Sequence, residues 1–132
     1  MRYRGLLPPR YPSLLSALNF LIHWPAIEYA AQLVRARASE LDGDHYEFLT
    51  PAAEALAAKY PLEATLVLRS MIDFALGAAR SKRYRHVARH LLECESLASQ
   101  IADFGSFPLH DEYLAALKAK HGRKQAFWRY VG

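Results

Sequence analysis

The sequence predicts an all-α fold: antiparallel helical hairpins, six or seven helices, stacked in pairs in the manner of tetratricopeptide repeats. Three observations carry this. Apolar residues recur at the three- and four-residue spacing that gathers them on one side of a helix. Alanine, leucine and arginine, all good helix formers, dominate, and the β-branched residues of strands are sparse. Prolines, hydroxyl residues and the Asp42-Gly43 pair stand at the ends of the apolar runs, where helices start and stop. The 132 residues, 52% of them hydrophobic, make one domain with a real core.

Residues 1–12 read as an irregular, basic, proline-rich lead-in. Ser13 caps a first helix to about His23, and Trp24-Pro25 breaks it. A second helix runs from Ala26 to about Leu41 on the stripe Ile27, Ala30, Leu33, Val34, Ala38, Leu41. Asp42-Gly43-Asp44 is a turn, followed by a short helical turn through Tyr46, Phe48 and Leu49. Thr50-Pro51 then reads as a helix start, a hydroxyl cap before a proline that needs no donor, with that helix reaching about Lys59. Pro61 opens the next helix in the same way, to about Arg80. It is apolar over most of its circumference and is the expected centre of the fold. Glu63, Arg69, Ser70, Asp73 and Arg80 mark its polar strip, with Arg69 and Asp73 spaced to pair. Ser81 caps a helix to about Ala102, residues 103–108 form a loop, and Pro108 restarts a helix toward Val131 with a weak point or break at Gly122.

Two features suggest repetition. Tyr60 and Tyr84 each precede an alanine by four residues (Ala64, Ala88), an aromatic wedge at a turn and a small residue where helices cross. Pro25–Val34 and Pro61–Val67 share an opening about 36 residues apart, near the tetratricopeptide period, although that repeat's full signature is absent.

Charge is segregated within a net +4. Residues 80–90 carry Arg80, Lys82, Arg83, Arg85 and Arg89 without an acid, and residues 118–129 carry Lys118, Lys120, Arg123, Lys124 and Arg129. Residues 40–63 carry Glu40, Asp42, Asp44, Glu47, Glu54 and Glu63 against Lys59 alone. Such a chain binds a charged partner or another copy of itself. Cys94 is the single cysteine, which excludes an intrachain disulfide and a multi-cysteine zinc site and fits a cytoplasmic location. Prolines interrupt the approach to Leu14–Ile22, which argues against a signal peptide. No apolar run reaches the roughly 18 residues that span a bilayer.

Reaction chemistry is scarce. His86, His90 and Cys94 lie at successive steps of four, but each step advances about 40° around a helix. They therefore drift from the polar side to the apolar side instead of converging, and His86, His90 and Glu93 are only weak metal candidates. Cys94, facing the core, is expected to be inert. No G-x-S-x-G, H-E-x-x-H or phosphate-cradling glycine loop occurs, and no cofactor is expected. Two charges interrupt apolar stripes: Glu95 among Tyr84, Ala88, Leu91, Ala98 and Ala102, and Lys124 among Tyr113, Leu117, His121, Phe127, Trp128 and Val131. The expectation is a buried polar lock between Glu95 and Lys124, or Arg123, fixing the C-terminal helix. The run RSKRYRHVARH resembles a phosphate-binding patch of Arg83, Arg85 and Arg89, with Lys120 and Arg123 as a second basic face.

The stretches RARASELDGDHYEFLTPAAEALAAKYPLEATLVLRSMIDFAL, RYRHVARHLLECESLA and HGRKQAFW resemble the C-terminal helical region of an uncharacterised bacterial domain-of-unknown-function family. The last two also resemble the helical tail of bacterial SWIM zinc-finger proteins. The resemblance implies a helical, repeat-like interaction surface and no known reaction. The zinc module of those proteins has no counterpart here, because no CxC motif is present. The expected function is a noncatalytic protein-interaction or scaffold module with an unknown protein partner. A nucleic-acid binder and a small metal protein or enzyme are the alternatives. The apolar first helix (Leu14, Leu15, Leu18, Phe20, Leu21) makes a homodimer an expectation too.

Overall fold

The structure is a computed structural model that describes residues 14–22 and 26–132. The expected lead-in over 1–12 and the break at Trp24-Pro25 lie outside the described residues, as do the side chains of Phe20 and Leu21. Seven α-helices and two 3₁₀ turns, and no strand, make up the described chain: α1 Leu14–Ile22, α2 Ile27–Ala36, α3 Tyr46–Ala57, α4 Pro61–Gly77, α5 Tyr84–Ala98, α6 His110–His121 and α7 Gln125–Val131, with 3₁₀ turns at Ala38–Glu40 and Ser81–Arg83.

α4 is the hub. Pro61 sits in its first turn, where the missing amide proton is no loss. Thr65 donates its hydroxyl to the Pro61 carbonyl at 2.8 Å, so this polar side chain is satisfied although it is buried. α3 and α5 pack along α4 as antiparallel neighbours, and α2 adds a third wall. Ala64 and Ala88 are buried at these crossings as the sequence leads one to expect, and Val67, Leu68, Met71, Ile72 and Leu76 fill the centre. Each of these larger side chains contributes about 1.5–3 kcal/mol by leaving water.

Several expected boundaries move, among them the end of α4, which stops at Gly77 and not at Arg80. Thr50-Pro51 does not start a helix. α3 begins at Tyr46 and runs through Pro51, and Thr50 donates its hydroxyl to the Met71 sulfur at 3.6 Å instead of capping an amide. The proline leaves the Glu47 carbonyl without its helical donor, which is tolerable because Glu47 is exposed to water. α2 stops at Ala36 and its last expected turn is 3₁₀. α5 starts at Tyr84, behind the 3₁₀ turn and without a Ser81 cap, and ends at Ala98, four residues early. In the loop that follows, Asp103 accepts the Gly105 amide at 2.7 Å and Gly105 takes φ +59°.

That early end overturns the buried lock. Ala102 is exposed and off the helix, so it cannot help define the stripe. The buried face of α5 is Tyr84, Val87, Ala88, Leu91, Cys94 and Leu97, and Glu95 points into solvent. Lys124 is the half-buried residue ahead of α7, in the break after Gly122, and makes no ion pair with Glu95 or any other acid among the described residues. The C-terminal helix is fixed by apolar contacts. Phe127 is fully buried, edge-on to Tyr84 (5.9 Å) and Trp128 (4.9 Å), and the Trp128 indole donates to the His121 carbonyl at 2.9 Å.

The polar strip on α4 is also different from the expectation. Glu63 is buried and paired with Arg35 of α2 at 2.8 Å, so an ion pair ties α4 to α2 there. Arg69 and Asp73 do not form an ion pair. On α1, Leu14, Ala17 and Leu18 are buried against α2 and α3, so those residues are already used within the chain.

Candidate functional site

α3 and α5 both pack along α4 and leave between them a groove of about 780 Å³. Leu68 and Met71 of α4 are its floor, with Ala53 of α3 and Val87 of α5 beside them. Residues three and four apart share a helix face, so α5 and the turn before it line one wall with Lys82, Arg83, His86, Arg89 and His90. α3 lines the other wall with Glu47, Thr50 and Glu54. The groove therefore has an apolar base, a cationic side and an anionic side, with Glu93 at one end of the cationic side.

The members of this wall are not equivalent. Arg83 belongs to the architecture: it pairs with Asp44 at 2.9 Å and lies over the rings of Tyr46 (4.7 Å) and Phe74 (5.4 Å), pinning the turn after Leu41 against α4. It is thus not an open phosphate contact, contrary to the basic-patch reading. Arg85 points away from the groove and sits 5.7 Å over the Tyr130 ring of α7. Lys82 and Arg89 are exposed. His86 is exposed too, while His90 faces Glu93 with Nδ1 to Oε1 at 3.4 Å. Burial holds the His90 imidazole below its ordinary range, with the neighbouring His86 and Arg89 acting in the same direction and Glu93 opposing them.

His86, His90 and Glu93 share the groove wall, yet no three His, Cys, Asp or Glu side chains among the described residues come together as a metal-holding group. Lys120 and Arg123, exposed at the end of α6, do not line the groove. The groove thus takes basic residues from the first of the two runs only. Cys94 is buried, and burial pushes its thiol up to about 12, which keeps it protonated and unreactive.

A second groove, of about 850 Å³, opens where the segment 38–43, α4 and the start of α6 meet. Its polar centre eluded the sequence reading. The Tyr113 hydroxyl of α6 donates to Asp73 Oδ1 at 2.7 Å, a contact 40 residues apart that no local spacing announces. Arg69 lies over the Tyr113 ring at 4.5 Å and near Phe104 at 5.8 Å, with only 5% of its surface exposed. Burial raises Asp73 above the usual carboxylate range against the opposing Tyr113 hydrogen bond, and it raises the Tyr113 phenol as well. The available signal is Arg69 itself, a long cation within an apolar helix, which the four-residue spacing matches with Asp73 instead.

No described helix is long and apolar enough to cross a membrane. No curated protein matches the chain. No solved structure matches it either. One family model does, described as a family of unknown function, and its match runs over residues 8–130, which takes in both grooves and every helix but the last residue of α7. The chain belongs to this family of unknown function, DUF6880.

Proposed function

We propose that this chain is a noncatalytic, cytoplasmic protein-interaction module that holds an amphipathic polypeptide segment in the groove between α3 and α5. The observation that carries this is the opposition of charge across an apolar floor. A segment with apolar residues toward Leu68 and Met71, acids toward Lys82 and Arg89, and bases toward Glu47 and Glu54 is complementary on all three surfaces. The groups best suited to chemistry favour this reading over an enzyme. Cys94 is sealed as a thiol, and His90 is engaged with Glu93.

Nucleic acid fits this groove less well. A phosphate backbone would meet Glu47, Glu54 and Glu93 along with the bases, and Arg83 is already held by Asp44.

The test is selection of random peptides against the wild-type chain and against the variant Lys82→Glu/Arg89→Glu, both checked for helical content. The reading expects amphipathic peptides carrying acids on one edge to be enriched on the wild type and lost on the variant. Enrichment of the same peptides on both, or of none on either, contradicts it.

A further inference from the structure

We infer that the second groove is a binding site for a small organic acid: a carboxylate on the Arg69 guanidinium, with an apolar body lying along Leu66, Phe74 and Phe107. The argument begins with charge. A guanidinium stays protonated in proteins, and a buried cation requires compensation. Arg69 is 95% buried by its 5% relative exposure, and its Nε and Nη2 are sealed from solvent with no hydrogen-bond partner. Nη1, the remaining nitrogen, is not sealed and has no partner either, so it is the donor that a carboxylate can reach. The rings of Tyr113 and Phe104, with Asp73 at longer range, supply a partial counter-field, but none of them accepts a hydrogen bond from the guanidinium.

The chain itself offers no carboxylate for this role. All 13 Asp and Glu residues lie among the described residues, and none stands within 4.0 Å of Arg69. The nearby acids are engaged elsewhere: Glu40 with Arg37 at 2.7 Å, Asp42 with the Asp44 amide at 3.0 Å, and Asp73 with the Tyr113 hydroxyl at 2.7 Å. Residues 1–13 and 23–25 contain no acid. An unpaired, nine-tenths buried cation on the wall of an 850 Å³ groove is therefore matched by an anion from outside these 132 residues.

The neighbours narrow the ligand's chemistry. Asp73 stands one helical turn from Arg69 on the same wall, so a second or third negative charge on the ligand would be repelled. That favours a monocarboxylate over a phosphate. The apolar lining, with Leu66, Phe74 and Phe107 around a single buried cation, is the usual composition of a small-molecule site. This site is separate from the α3–α5 groove, and its test is independent of peptide binding.

Benzoate, benzamide and inorganic phosphate are titrated into the full chain while backbone amide shifts are followed. Benzoate is expected to bind saturably, with the largest shifts at Arg69, Ser70, Asp73 and Tyr113. Benzamide, of the same shape without the charge, is expected to bind about tenfold more weakly, as is benzoate to Arg69→Met. Asp73→Asn is expected to tighten benzoate. If Arg69→Met does not fold, the comparison of benzoate with benzamide on the wild type still decides. Equal affinity for these two, shifts confined to another face, or phosphate binding more tightly than benzoate overturns the assignment.

Discussion

Gly43 lines both grooves, and its lack of a side chain is what lets the turn lie on α4. A Cβ at this position would stand 1.9 Å from the Ser70 carbonyl oxygen and 2.8 Å from the Phe74 Cβ. Since the obstacle is helix backbone, the turn must lift off. Gly43→Ala should lower stability by about 3 kcal/mol, read as a fall in the urea midpoint at unchanged slope. The sequence showed the turn, because Asp-Gly-Asp is local chemistry. It did not show why glycine is required, because the close approach is to a helix beginning 18 residues later, as the positions of Gly43 and Pro61 give it. Glu63 and Glu95 teach the same lesson from opposite sides. Glu63 looked like part of an exposed strip and is a buried partner of Arg35, whereas Glu95 looked buried and is exposed. Helical phase places a residue around its own helix, but which arc is covered depends on neighbours and on where the helix ends.

At the scale of elements, the end of α4 shows how a local motif sets a helix pair. The Arg80 amide donates to the Ala75 carbonyl at 2.8 Å and the Ala79 amide to Leu76 at 3.2 Å, the paired bonds of a Schellman turn. Ala79 occupies the left-handed position at φ 53°, where glycine carries no steric penalty. Ala79→Gly is therefore expected to stabilise the chain by about 1 kcal/mol, visible as a higher thermal midpoint. Alanine gives no warning of this turn, and the sequence therefore predicts simple continuation of the helix to Arg80. Helix identity was legible throughout, because amphipathic period and proline position are properties of a few consecutive residues. The start of α3 was misread because Thr50-Pro51 carries a start signal that the packing of Leu49 beneath it overrides: Leu49 is fully buried, and that requires the helix to begin before it.

For the whole molecule, the packing of helices around α4 buries some titratable groups and opposes others across a groove. His90 and His121 both bind protons less readily in the folded chain than the ordinary imidazole value of 6.5, with burial the first cause for each. Lys124 and Lys120 add to the effect at His121, and Asp73 opposes it. The unfolded chain therefore takes up more protons as pH falls past 6.5, and stability should decline from about pH 7 to about pH 5. Asp73, raised by burial, acts in the opposite sense nearer the carboxylate range and offsets part of the loss there. Chemical denaturation across that interval checks this: His90→Gln/His121→Gln should flatten the dependence, and an unchanged profile would contradict the assignment to these two residues. The fold class followed from composition and period, while the segregation of charge along the chain pointed only to a charged partner or a second copy, not to opposite signs facing each other across a groove. Which residues met, Glu47 and Glu54 across from Lys82 and Arg89, required the tertiary crossing of α3 and α5 over α4.

The central claim is that this crossing holds a polypeptide by complementary charge, and reciprocal reversal tests it most directly. A peptide selected on the wild-type chain is measured against Lys82→Glu/Arg89→Glu, first as selected and then with its acidic positions changed to lysine. The groove account predicts that affinity falls by about tenfold or more in the first case and returns in the second. Affinity that is indifferent to the reversal, or that the swapped peptide fails to recover on a folded variant, would contradict it.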